Sequence, residues 1–163
     1  MVNFKSFRGV VTQIEDFSIG QNGEREGCYK LMTVVDDTGG IVNFVISPST
    51  YFVNQEIVTL RDRITGYYDG DAPVPLIYPP QYRALIVVKE NNFQNVKVDF
   101  FNSQLVSSDG QLQLNLSPST VISLKNGQPF LKSPTNRNLI VIYGPTTRSI
   151  PAQTTPYKII VWC

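Results

Sequence analysis

The residues with the most chemistry to offer lie between Tyr67 and Tyr82, a stretch reading Tyr-Tyr-Asp-Gly-Asp-Ala-Pro-Val-Pro-Leu-Ile-Tyr-Pro-Pro-Gln-Tyr. Tyr67, Tyr68, Tyr78 and Tyr82 frame a proline-rich loop. Aromatic faces so gathered can stack on bases or sugars. They can also pack against the prolines and pin the loop down, and this structural reading is the favoured one. Asp69 and Asp71 stand one glycine apart, a fragment of a calcium loop without its later ligands or closing Glu. A solvated turn is expected there, and no metal.

Other chemistry is excluded by what the chain lacks. It has no histidine, which removes Ser-His-Asp and Cys-His hydrolysis, His-ligated zinc sites and imidazole acid–base catalysis. Asp36-Asp37, Glu24 and Glu26 read as solvated. No carboxylate pair has surroundings that would raise a pKa, so glycosidase-like chemistry is unsupported. Gly39-Gly40 is a turn and not a phosphate loop, because no Lys-Ser/Thr follows. The chain therefore reads as no enzyme, with no cofactor. Cys28 and Cys163 have no CxxC context. Two independent thiols are expected, with a disulfide, within or between subunits, as the alternative.

Charge bounds the partners. Lys plus Arg number 14 and Asp plus Glu 13, scattered along 163 residues. Binding that rests on phosphate neutralisation would show a basic patch, and none is visible. No secretory signal follows Met1, and the longest aliphatic run, Ala84 to Val88, is too short to span a bilayer. No membrane partner is expected, and the location reads as cytoplasmic, with export by an unrecognised route left open.

The elements that must position these residues are β-strands. Hydrophobic content is 42% and charged content 17%, enough for a packed core. Alternation predicts strands over Phe7–Asp16, Cys28–Asp36, Ile41–Ile46, Arg63–Tyr68 and Gln81–Lys89. Gly9 is expected to mark a bulge. A glycine-rich loop, Ser18 to Gly27, is expected to stay mobile, and Asp37-Thr38-Gly39-Gly40 reads as a hairpin turn. Ser47 is expected to cap one helical turn, with Pro48 at its first position. The outward face of the third strand, Ile41, Asn43 and Val45, is apolar enough to need cover.

The second half repeats the first. Ile46-Ser47-Pro48-Ser49-Thr50 matches Leu116-Ser117-Pro118-Ser119-Thr120, and Tyr68 and Tyr82 match Tyr143 and Tyr157. Persistence of the tyrosines with drift between them suits a structural latch. Val98–Ser107 is matched to the second strand, Asn126-Gly127-Gln128-Pro129 falls in a turn, and no first strand is apparent in the second copy.

The first half resembles a known family pattern. Gly9-Val10-Val11 is followed by Val35-Asp36-Asp37-Thr38-Gly39-Gly40, then Ile41 to Val45, then Asp62 to Tyr67 before a long loop and a final strand. This order is similar to the OB-fold, a five-stranded barrel. The resemblance covers Phe7–Lys89 well and Val98–Trp162 partly. Val74–Tyr82 is also similar to stretches of small bacterial proteins of no assigned activity. The resemblance implies an all-β chain of two related OB-like β-barrel units, residues 1–90 and 91–163, packed as one compact body. It also implies a ligand across strands two and three, between the loops Ser18–Gly27 and Asp69–Gln81.

The expected role is thus a non-catalytic binding module for an oligonucleotide or oligosaccharide. Its expected contacts are Tyr29, Lys30, Met32, Asn43, Val45, Tyr67, Tyr78 and Tyr82. Single-stranded nucleic acid and oligosaccharide are the candidate ligands. The alternative is a self-assembling structural subunit, a homo-oligomer joined through sheet edges and apolar faces.

Overall fold

The computed structural model describes residues 1–18 and 23–163. Gly20, in the loop expected to be mobile, lies outside the described residues. The chain is all-β and divides into two units, Met1–Glu90 and Asn91–Cys163.

In the first unit, β1 (Phe4–Asp16), β2 (Lys30–Val35) and β3 (Ile41–Ile46) form an antiparallel meander. The turn between β2 and β3 explains their register. Gly39 sits at φ +86°, where a side chain is disfavoured. The Asp36 carboxylate accepts hydrogen bonds from the Thr38 and Gly40 amides. β4 (Tyr51–Phe52) follows a corner, then β5 (Arg63–Asp69), β6 (Gln81–Arg83) and β7 (Ile86–Lys89). The sheet order is β4-β7-β5-β1-β2-β3-β6.

Two of these pairings are parallel: β3 with β6, and β4 with β7. One pass of chain, Asn43 to Phe52, therefore stacks on a later pass, Gln81 to Val87. The corner is stacked too. Thr50 Oγ1 donates to the Ala84 carbonyl at 2.8 Å, and the Tyr51 amide donates to Leu85 at 2.9 Å. Ser47 does not cap a helix. Its hydroxyl accepts from the Ser49 amide at 3.2 Å and closes a tight turn.

The second unit contains β8 (Asn95–Phe101), β9 (Leu112–Leu114), β10 (Val121–Leu124), β11 (Arg137–Tyr143), β12 (Ala152–Thr154) and β13 (Lys158–Val161). Parallel stacking recurs as β9 with β12 and β10 with β13. The corner recurs bond for bond: Thr120 Oγ1 donates to Pro156, and the Val121 amide donates to Tyr157. β8 pairs antiparallel with β11, as β1 does with β5. The strand expected to be the second of this copy is therefore its first. What remains of a second strand is a pair of isolated bridges at Val106 and Ser107.

These parallel, stacked passes correct the barrel expectation. The arrangement is solenoid-like, coil upon coil, and neither unit is an OB barrel. The residues behind that resemblance, Gly9 to Val11, Val35 to Gly40 and Asp62 to Tyr67, specify hairpins and turns. They do not specify how distant passes of chain stack, which is settled by long-range pairing.

Each unit has its own core. Val11, Met32, Val34, Val42, Phe44, Ile64, Ala84 and Val87 form the first, and Phe101, Leu105, Leu112, Leu114, Leu139, Val141, Ile159 and Val161 the second. Each large apolar side chain so buried contributes roughly 1.5–3 kcal/mol. Gly66 is required by the first core, since a Cβ there would lie 2.5 Å from the Phe44 ring. The bulge in β1 falls at Thr12, between Val11 and Gln13, and not at Gly9. Gly9 instead admits the Val35 carbonyl, which a Cβ would strike.

Candidate outer-face binding surface

Alternation along β1, β2, β3 and β6 sorts their side chains into two faces. On the inner face, Ile14, Met32, Phe44 and Tyr82 stand side by side in register. On the outer face the neighbouring row is Gln13, Thr33, Asn43 and Gln81. The next row along is Glu15, Leu31, Val45 and Arg83. Beyond it the Phe17 amide donates to the Tyr29 carbonyl at 2.9 Å, which sets two aromatic residues at the end of the face.

The polar row is partly shielded. Thr33, Asn43 and Gln81 are half-buried and Gln13 is exposed. Thr33 Oγ1 donates to Asn43 Oδ1 at 2.7 Å. That bond fixes the amide and turns its NH₂ group away from Thr33. From Thr33 to Tyr29 the strand runs about 13 Å. The face thus offers amide and hydroxyl groups at one end, with the backbones of Phe17 and Tyr29 paired beyond the other.

The residues singled out from sequence divide between the faces. Asn43 and Val45 follow the outward alternation, as does Tyr29 beyond the strand end, and Val45 is itself buried. Met32 is buried in the core, at 3% exposure. Lys30 belongs to the opposite alternation, and its Nζ is paired with Asp16 at 2.8 Å. Tyr82 faces inward and stacks on Tyr68, with centroids 3.9 Å apart and planes 5° from parallel. Tyr67 meets Phe4 edge to face, at 6.5 Å between centroids. Tyr78 is exposed on the long loop. Tyr29 and Asn43 therefore share a face, while Tyr82 and Lys30 do not share it. Contrary to the expectation from sequence, Asn43 and Tyr82 do not converge on one ligand: Asn43 pairs with Gln81 and Tyr82 with Phe44, one residue out of phase, so their side chains alternate apart.

Gln13, Thr33, Gln81 and Arg83 were not singled out from sequence. Thr33 was findable, because the turn centred on Thr38 places positions 33 and 43 opposite each other. Gln81 was not, because its parallel pairing with β3 spans a long excursion of chain.

The perturbed carboxylates all move the same way. Hydrogen bonds from Thr38 and Gly40 hold Asp36 below its ordinary value. The Thr59 amide, followed by Lys89, does the same for Asp62. Burial pushes Asp109 up, but Lys97 and Ser107 outweigh it and the net shift is downward. Asp69 accepts from the Asn3 and Asp71 amides, at 3.3 and 3.0 Å, and Asp71 accepts from the Asn3 side chain at 3.2 Å. Both are occupied in pinning the loop to the chain start. Cys28 and Cys163 are both free and exposed. No helix among the described residues is long and apolar enough to cross a membrane.

No protein-family model, curated protein or solved structure matches this chain.

Proposed function

We propose that the protein is a non-catalytic binding module whose ligand lies on the outer face of β1, β2, β3 and β6, and that the ligand is an uncharged oligosaccharide. The observation that carries this reading is the in-register row Gln13, Thr33, Asn43 and Gln81. Amides and hydroxyls in a fixed line suit the paired donors and acceptors of sugar hydroxyls. Tyr29 and Phe17 offer the apolar faces on which sugar rings stack.

Charge separates sugar from nucleic acid. The face carries Arg83 and Glu15, one of each sign, in the row beside the amides. A nucleic-acid surface would gather Lys and Arg against phosphates and lose affinity steeply with salt. A face balanced in this way offers no such gain.

The test is binding of the full chain to a panel of immobilised neutral oligosaccharides, with single-stranded DNA and RNA alongside. Asn43→Ala is expected to weaken glycan binding at least tenfold, and added salt to leave it unchanged. Salt-sensitive binding of nucleic acid without glycan binding would overturn the reading.

A further inference from the structure

Among the described residues of the first unit, the longest run of exposed apolar side chains is the tip of the loop between β5 and β6. Leu76 is 100% exposed, Tyr78 79%, Ile77 55% and Val74 43%. Isolated exposed apolar residues need no explanation, but a contiguous patch does. From these residues we infer that the loop tip inserts into the apolar margin of a lipid surface, holding the unit against it peripherally.

Three properties of residues 72–80 favour lipid over a protein groove. The nine residues carry no charge. Four of them are proline and have no amide N–H, so moving the tip out of water strands few donors. Leu76, Ile77 and Tyr78 are consecutive and all exposed, so they project in several directions. A groove reads side chains along one face of a peptide. An apolar medium accepts them from every side. Tyr78, apolar in its ring and polar at its tip, is a residue type at home at the boundary between lipid and water.

The base of the loop is held. Asp69 and Asp71 are engaged with Asn3, and the Pro80 carbonyl accepts from the Asn43 amide at 2.9 Å. Little ordering is therefore needed on contact. That no helix among the described residues is long and apolar enough to cross a membrane does not bear on this, because a surface contact needs no span.

The experiment is co-sedimentation of the full chain with phosphatidylcholine vesicles, and with vesicles containing phosphatidylserine. Binding to both is expected, with little dependence on salt. Leu76→Asp is expected to lower the bound fraction at least tenfold. Leu131→Asp, at an exposed apolar position of the second unit, is expected to leave it unchanged. Asn43→Ala should also leave it unchanged, which separates this contact from glycan binding. No binding to either vesicle would overturn the inference, as would equal loss in Leu131→Asp or binding confined to anionic vesicles. So would concentration-dependent self-association that Leu76→Asp abolishes without vesicle binding, since the loop would then dock on a second copy.

Discussion

Tyr82 lies flat on Tyr68, ring on ring, with 3.9 Å between centroids, while Phe44 packs against Tyr68 from 6.2 Å. The pair seals one end of the first core where the chain leaves β5 and re-enters at β6. Tyr82→Ala removes the stacked ring and leaves a gap beside Phe44, and is expected to cost about 2–3 kcal/mol. Tyr82→Phe keeps the ring and is expected to cost under about 1 kcal/mol. Denaturant unfolding of the two variants checks both. Equal losses would show that the hydroxyl, and not the stack, does the holding.

Gly66 meets the same core from β5. A methyl group there would lie 2.5 Å from Phe44, and the backbone of a packed sheet cannot easily retreat. Gly66→Ala is expected to destabilise by about 1–3 kcal/mol. Combining it with Phe44→Leu should restore part of that loss, because the offending ring is gone. Additive losses in the double variant would contradict this cause.

Acid should unfold the protein through its turns. Asp36, Asp62 and Asp109 are all held below their ordinary values in the folded chain. The unfolded chain takes up protons at these sites first, so falling pH favours unfolding. Their stabilisation is complete above the ordinary Asp range and is lost as pH drops through the lower folded values. Asp62→Asn should flatten the acid limb of a stability-against-pH curve. An unchanged limb would place the acid sensitivity elsewhere.

At high pH the tyrosines report burial. Burial raises Tyr51 above the ordinary value of 10.0, and does the same for Tyr143, where Lys97 opposes it in part. Burial also raises Tyr68, helped by the neighbouring Tyr82. The unfolded chain loses these protons first, so stability falls as pH climbs past 10. Absorbance of tyrosinate should show these three ionising above the ordinary value. Ionisation of all three at the ordinary value in the folded protein would contradict the packing.

Local patterns in the chain specify its strands and turns, whereas pairing between distant strands leaves no local pattern. Ile41–Ile46 is a strand as its alternation implies, and Gly39 turns where glycine is needed. The match of Ser47–Thr50 to Ser117–Thr120 reflects a corner built twice, with Ser49 and Ser119 amides bonded to Ser47 and Ser117 alike. The match of Tyr82 to Tyr157 does not hold. Tyr82 stands beside Phe44 and Thr154 beside Leu114, so Thr154 is the equivalent of Tyr82. Tyr157 accepts the Val121 amide as Leu85 accepts that of Tyr51, and so occupies the place of Leu85. Two tyrosines near one end of a repeat look alike in sequence, and only strand register tells them apart.

The candidate surface was legible to the same degree. Tyr29 and Asn43 were visible because they lie on one hairpin whose turn sets the register. Gln13 needed the extra residue at Thr12, which shifts every outward position after it. Gln81 needed the stacking of one coil on another, which no short-range pattern records.

The row from Gln13 to Gln81 is proposed to recognise an uncharged sugar chain. Its most direct test is titration of the neutral oligosaccharide bound most strongly in the panel into the wild-type chain, Asn43→Ala and Thr33→Val. Binding is expected in the wild type and at least tenfold weaker binding in both variants, with their unfolding curves within about 1 kcal/mol of wild type. Unaltered affinity in both variants, or no bound oligosaccharide at all, would contradict it.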